Sequence, residues 1–510
     1  MFDLLCYLPI VFGSTIIWAF SNLSMRRKII DAISSITNAL KACLLLRYPI
    51  TSVNFKYDLP TCPYKWPDGQ GDIGKFLAGE ENGRRWRKQF GGLYRIWSGL
   101  VPEIVLTNPE HVQAVFADSD KHIKAVNNNS GWLLGELLGQ CVGLISLGEW
   151  KSARRVTEIP FLHKRMEDYI ESICHQVQYH VQDLHTAGGL KDGRLNPVRD
   201  LKLLPFRIVT TIIFGRLEEN TRDKLEALIP LRERLFQTAL NGGLARFWWG
   251  RLFRPSIGSS LKRFKKSWKA FNSEIYGDLK SKGVNTPLVN FYRAVDIGLI
   301  TEIQMLQTLD EILFANLDVT MGGISWLLVF LASSPNIQAE LRHEFENHGI
   351  HKSSWSELTT YVMSSSTLLS ATIAESSRLK PLAPFSVPQA IPSKRTVGKF
   401  VFPKGTNFIV DTYALNTNPE FWGDDSTDYR PSRFLTLSPT KLRYNFWRFG
   451  FGPRQCMGKY IADVMMRALV IHILQNYELS QLSQRPMQSK DHTSWINHPD
   501  AVLSCERIER

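Results

Sequence analysis

Residues 446–462 read FWRFGFGPRQCMGKYIA, and the fold turns on this stretch. A single cysteine, Cys456, stands among Gly450, Gly452 and Gly458, with Arg454 two residues before it. Zinc sites and disulfides call for cysteines in sets, and no second cysteine lies near in sequence. A lone thiolate in a glycine-rich turn suits one axial bond to a large, flat cofactor. To remain a thiolate it needs backbone N–H donors and positive surroundings. The three glycines permit the tight turn that aims such N–H groups at sulfur.

Working outward, a long helix is expected after the cysteine, from Lys459 to about Gln475. Before it, short strands are expected in FSVPQAI, RTVG, KFVF and NFIVDTYAL, all beyond Pro381. From about Trp150 to Glu375 the pattern is mainly helical. Further towards the N-terminus, GGLYRIW and EIVLTN read as a β-hairpin that leads into a helix at PEHVQAVF. Strands clustered at both ends with helices between argue a mainly helical α+β protein rather than a βαβ series. The segment Glu311–Ala332 is apolar enough for a membrane span, but Asn316, Asp318 and Thr320 fall within it. An acid at mid-membrane depth is costly. With TEIQMLQTLD before it, the segment is expected to be a core helix of roughly 30 residues, ending near Ser333, Ser334 and Pro335.

The 510 residues carry 61 Lys+Arg against 48 Asp+Glu, a net charge of +13. That excess could serve anionic membrane, an acidic protein partner or nucleic acid. Without zinc-finger spacing or a dense basic run, nucleic acid is not expected as a partner. Seven scattered cysteines fit a reducing compartment rather than a disulfide framework.

Leu4 to Phe20 is apolar, and Arg26, Arg27 and Lys28 follow it. At 1.5 Å per residue the run covers ~26 Å, enough for a thin bilayer. The basic flank is expected to keep the following chain cytosolic. The organisation expected is a signal anchor over 1–28 (span about 4–20), an amphipathic segment and Pro-rich connector over 29–75, and a catalytic domain over 76–510. This places the protein in the endoplasmic reticulum membrane, in contact with lipid, by a single N-terminal anchor. Asn22 and Asn128 open glycosylation sequons. On this topology neither is modified.

Glu375 and Arg378 share a helix face at i, i+3, a pair that by itself is most often a solvated surface charge pair. Four ordered motifs change its meaning, because together they resemble the cytochrome P450 family: Trp150 and Arg154 in WKSAR, the Glu375/Arg378 pair, Arg433 in RPSRF, and FGFGPRQCMG. The resemblance runs from the anchor to near the end of the chain and implies the cytochrome P450 fold with its long central helix, a small β-sheet region on the N-terminal side, and a transmembrane anchor. It implies haem b with Cys456 as the axial ligand of the iron, O2 as co-substrate, and NADPH electrons through a separate reductase. It implies Arg454, Trp150, Arg154, Phe449 and Gly450 around the cofactor, and a structural lock of Glu375, Arg378 and Arg433. His122 could be a further donor to the haem carboxylates or an ordinary solvated histidine.

Where the family usually shows Ala/Gly-Gly-x-Asp/Glu-Thr-Thr, this chain has Ala315-Asn316-Leu317-Asp318-Val319-Thr320. The acid is Asp318, but Val319 stands where the oxygen-side threonine is expected. Thr320 is turned ~100° away on the helix. Asn316, Thr320 or the substrate would then supply the missing function. This form of the motif resembles fungal secondary-metabolite enzymes acting on cyclic dipeptides. The function expected is a reductase-dependent haem-thiolate monooxygenase that hydroxylates, couples or cyclises a small organic substrate. A haem-thiolate isomerase or dehydratase without a reductase, and a non-catalytic haem-binding protein, are the alternatives. Basic residues in 149–165 and 441–459 would ring the thiolate side as a docking face for NADPH-cytochrome P450 reductase.

Overall fold

The computed structural model describes residues 23–54, 56–350, 355–482 and 495–508. The proposed span at 4–20 lies outside them. The chain from 23 onwards is helical over Leu23–Arg47.

One helix, Glu302–Ala332, organises the body. It starts at a capping box in which the Thr301 side chain accepts from Gln304 N and Gln304 accepts from Thr301 N. It stops at Ser333, and Pro335 opens the next helix. Leu309, Leu313, Leu317, Ile324, Leu328 and Leu331 are buried in the main core. Among the described residues this is the one helix long and apolar enough to cross a membrane, and most of it is enclosed by protein. It is a core helix, packed against Leu203–Phe214 and Leu368–Leu379.

A five-stranded sheet flanks the helical body. Leu93–Ser98 and Val101–Leu106 form the expected hairpin, paired Leu93 to Leu106. Val101–Leu106 then pairs in parallel with Asn407–Val410, Ile104 opposite Phe408. Gln389–Ala390 and Ile123–Lys124 complete the sheet. Two strands are shorter than expected. FSVPQAI contributes only Gln389–Ala390. NFIVDTYAL breaks at Asp411, whose carboxylate accepts from Ala414 N and caps the short helix Thr412–Asn416.

The stretch 57–75, expected as a connector ahead of a body starting at 76, is pinned to that body. Cys62 N donates to Arg95 O (2.8 Å) and Arg95 N to Pro60 O (2.8 Å). Lys75 is fully buried between Asp72 (3.4 Å) and Glu103 (3.1 Å). A buried ammonium is tolerable only with such partners, so these residues belong to the globular core.

Candidate active site

The cysteine turn joins the sheet side of the molecule to the helix Lys459–Asn476. Gly450 and Gly452 have φ of 82° and 67°, where a side chain is strained. At Gly452 a Cβ would also lie 2.6 Å from Ser119 Oγ. The turn is closed by Cys456 N donating to Phe449 O (2.9 Å) and Gln455 Nε2 to Gly450 O (3.1 Å). Burial pushes the Cys456 thiol up, while the Gly458 N–H and the charges of Arg154 and Lys459 pull it back. Arg154 clamps the turn from the Leu147–Thr157 helix, with Nη1 on Gln455 O (3.0 Å) and Nε on Glu158 (2.6 Å). It serves the backbone of the cysteine loop. The Arg448 guanidinium lies 4.5 Å from the Phe449 ring centre.

Arg454 stacks on the Trp150 ring at 4.7 Å and donates to Ile145 O (2.6 Å). Nearby are two groups that the motif reading did not single out. Lys124, two residues beyond His122, has its amine pushed down to about 7 by burial and by Arg454. Glu311, on the central helix, accepts from Gly143 N (3.1 Å), and burial pushes its carboxyl up. Only spatial closeness reveals them, since 124, 311 and 454 are remote in sequence. His122 sits deeper, buried beside Phe116 (5.7 Å between rings) with Asp118 at 3.4 Å. Among the described residues its ring nitrogens have no partner besides that Asp118 contact, and burial pushes its pKa down. Arg395 is committed to Asp118 and to the carbonyls of Ala114 and Val115.

This donor set fits haem. Cys456 offers one sulfur for iron; burial and Glu311 push its thiol up, and the Gly458 N–H with Arg154 and Lys459 opposes that rise. Lys124 Nζ and Trp150 Nε1 make no hydrogen bond within the described residues, and with Arg454 they form a cationic and N–H-bearing rim suited to carboxylates.

On the central helix, Thr320 donates its hydroxyl to Asn316 Oδ1. The Asn316 oxygen is therefore occupied and its NH2 end is the one left to donate. Asp318 faces the other way along the helix. Its Oδ2 accepts from Trp495 Nε1 (3.0 Å), and its backbone oxygen meets His498 Nε2 (3.1 Å). Trp495 lies outside the motifs read from the sequence.

Glu375, Arg378 and Arg433 come together as a buried cluster. Arg378 is bidentate on Glu375 (2.7 and 2.8 Å), and Arg433 Nε reaches Glu375 Oε1 (2.9 Å). Arg430 N adds a fourth donor at 2.9 Å. Arg378 also holds the carbonyls of Asn416 and Ser426, and Arg433 that of Trp422, so the charges fasten the segment ahead of the cysteine turn to the Leu368–Leu379 helix.

A lone cysteine on a glycine turn, a long core helix that bears an acid, and a buried Glu-Arg-Arg cluster fit the class of haem-thiolate proteins. The sequence profile described as Cytochrome P450 matches residues 79–504. The chain is 48% identical over 463 residues to cytochrome P450 monooxygenase aclC of Aspergillus oryzae, covering 90% of this chain and 94% of that one. It is 43% identical over 504 residues to cytochrome P450 monooxygenase asaD of Aspergillus flavus, covering 98% and 96%. With cytochrome P450 monooxygenase gliC of Aspergillus fumigatus it shares 36% over 480 residues, covering 92% and 93%. The chain belongs to the cytochrome P450 family. It is a monooxygenase of that family, and as such uses haem, O2 and electrons from a redox partner to act on a small molecule.

Proposed function

We propose that this enzyme hydroxylates, or oxidatively couples or cyclises, a small organic substrate in fungal secondary metabolism. Haem b, held by Cys456 with Arg454, Trp150 and Lys124 at its carboxylates, would supply oxygen binding and activation. The observation that carries the reading is the cysteine turn itself: a single sulfur on a turn made by Gly450 and Gly452, facing the Gly458 N–H and the charges of Arg154 and Lys459, suits axial ligation.

The chain's own residues then handle protons and substrate. Asp318 is the proton-delivering acid. The Asn316 NH2, oriented by the Thr320 hydroxyl, replaces the donor that Val319 lacks. Electrons from NADPH arrive through NADPH-cytochrome P450 reductase at a basic face. Exposed Lys151, Arg155, Lys164, Lys441 and Arg443 lie on segments that meet where His163 contacts Tyr460 (4.9 Å) and Arg154 reaches the cysteine loop. The body sits on the cytosolic side of the endoplasmic reticulum membrane, anchored by residues 4–20. Exposed Trp248, Trp249, Leu252 and Phe253, interleaved with Arg251 and Arg254, support lipid contact by the body as well.

The test is incubation of enzyme, reductase and NADPH with a panel of small organic substrates that includes cyclic dipeptides, read by mass spectrometry. Products heavier by one oxygen, or lighter by two hydrogens, support the reading. Conversion without NADPH at unchanged mass would replace it with isomerisation.

A further inference from the structure

The acid of the central helix is held by a residue that the general chemistry of the site does not require. Trp495 Nε1 donates to Asp318 Oδ2 at 3.0 Å. The same indole meets the Phe236 ring edge-on at 5.3 Å and the Phe76 ring at 6.4 Å. Phe236 lies on the helix Ile229–Leu240 and Phe76 on the turn Ile73–Leu77, so one side chain joins the acid to two elements distant in sequence.

This position is built rather than incidental. The segment carrying Trp495 is held to the central helix and its surroundings at the next three residues. Gly322 leaves room for Ile496 and His498, whose atoms would lie 2.7 and 3.0 Å from a Cβ there. Asn497 N donates to Leu382 O (3.2 Å), Trp326 Nε1 donates to Asn497 O (2.8 Å), and His498 Nε2 reaches Asp318 O (3.1 Å). Asn497 Nδ2 donates to the Tyr413 hydroxyl.

We propose that Trp495 is a positioning residue for proton delivery: its indole N–H fixes the Asp318 carboxylate, and its ring ties that geometry to the aromatic wall formed by Phe236 and Phe76. A hydrogen bond from a fixed indole N–H holds the carboxylate in a single rotamer. The indole is the neighbour through which a substrate pressing on Phe236 or Phe76 adjusts the acid. The inference rests on the reading of Asp318 as the proton-delivering acid.

The experiment uses the full-length, haem-replete enzyme with reductase and NADPH and no added substrate, and follows NADPH oxidation, hydrogen peroxide release and the solvent isotope effect across pH. Trp495→Phe keeps a ring and removes the N–H. It is expected to slow NADPH oxidation by about tenfold, the worth of one hydrogen bond to a charged group. The solvent isotope effect and the pH profile should change with it, while imidazole binding to the haem stays as in the parent. Gly322→Ala, which pushes the segment off without touching either partner, is expected to reproduce the effect. In an Asp318→Asn background, Trp495→Phe should change nothing further. Parent-like behaviour of Trp495→Phe, or an equal effect in the Asp318→Asn background, overturns the proposal and leaves the role of Asp318 standing. An Asp318→Asn enzyme as fast as the parent overturns both.

Discussion

At the scale of single residues, Cys456 and Val319 carry opposite kinds of information. Cys456 sits in a turn closed by its own N–H on Phe449 O and shaped by Gly450 and Gly452 at positive φ. Cys456→Ala is expected to abolish the red-shifted Soret band of the reduced, carbon monoxide-bound protein, and a retained band would remove the ligand assignment. Val319 stands where a threonine is usual in the family, and beside it the Thr320 hydroxyl donates to Asn316 Oδ1. Val319→Thr is expected to divert part of the product towards hydroxylation if the natural reaction is coupling or ring closure, read as a gain of products one oxygen heavier. The turn was legible because its glycines, arginine and cysteine are neighbours in sequence and each has a backbone reason to be there. Lys124, Glu311 and Trp495 were not, because a lysine, a glutamate and a tryptophan gain meaning only when the fold brings them to Arg454, Gly143 and Asp318. Arg154 was found for the right neighbourhood, yet its partners are the Gln455 carbonyl and Glu158.

At the scale of elements, the charge cluster and one helix cap make separate predictions. Glu375 is fully buried under Arg378 and Arg433, so Glu375→Ala takes the carboxylate from Arg378 and leaves Arg433 only Asp425. The expected cost is ~3–5 kcal/mol and a loss of haem incorporation, measured by denaturant unfolding and the haem-to-protein ratio. A well-folded, haem-replete variant would contradict this. Asp411 caps its helix from within the core, and burial pushes its carboxyl up from 3.8 to about 6. Because the folded value exceeds the unfolded one, the native state holds the proton more tightly. The stabilisation is present at low pH and is lost as pH rises through about 6. Asp411→Asn keeps a capping oxygen and is expected to flatten the stability profile between about pH 4 and 6, followed by thermal unfolding across pH. The same residue explains a misread boundary. NFIVDTYAL looks like continuous strand by composition, but a capping carboxylate at its centre turns the chain into helix.

At the scale of the whole molecule, membrane attachment and orientation are open to direct measurement. Trp66 stacks on Phe247 (6.3 Å) and Phe247 on Trp249 (4.9 Å), next to Trp248 and Phe253. Leu44 of the N-terminal helix packs with Tyr64 and Trp97, two residues from Trp66, so helix and aromatic patch share one side of the body. Removing residues 1–28 is therefore expected to weaken but not end flotation with anionic lipid vesicles. Adding Trp248→Ser, Trp249→Ser and Phe253→Ser should end it. Orientation can be read at the native sequon, because the sugar is transferred to the emerging chain before Asn128 is buried beside Ser130: no glycan is expected there, and a glycosidase-sensitive mass shift at Asn128 would overturn the cytosolic placement. The helical body and the order of its motifs were legible at this scale, since apolar periodicity survives over a long helix. The sheet was only half legible, since two of its five strands have two residues each and take their identity from their partners.

The parallel pairing of Val101–Leu106 with Asn407–Val410 also sets a schedule for biogenesis. The inner strand of the early hairpin waits for partners that leave the ribosome roughly 300 residues later, about 15–60 s at ordinary synthesis rates. For that interval an apolar strand edge is unpaired, and Ile104, Val105 and Leu106, all fully buried at the end, lack their cover. The cysteine turn emerges later still, so the newborn chain must be sheltered from self-association before its prosthetic group can be loaded.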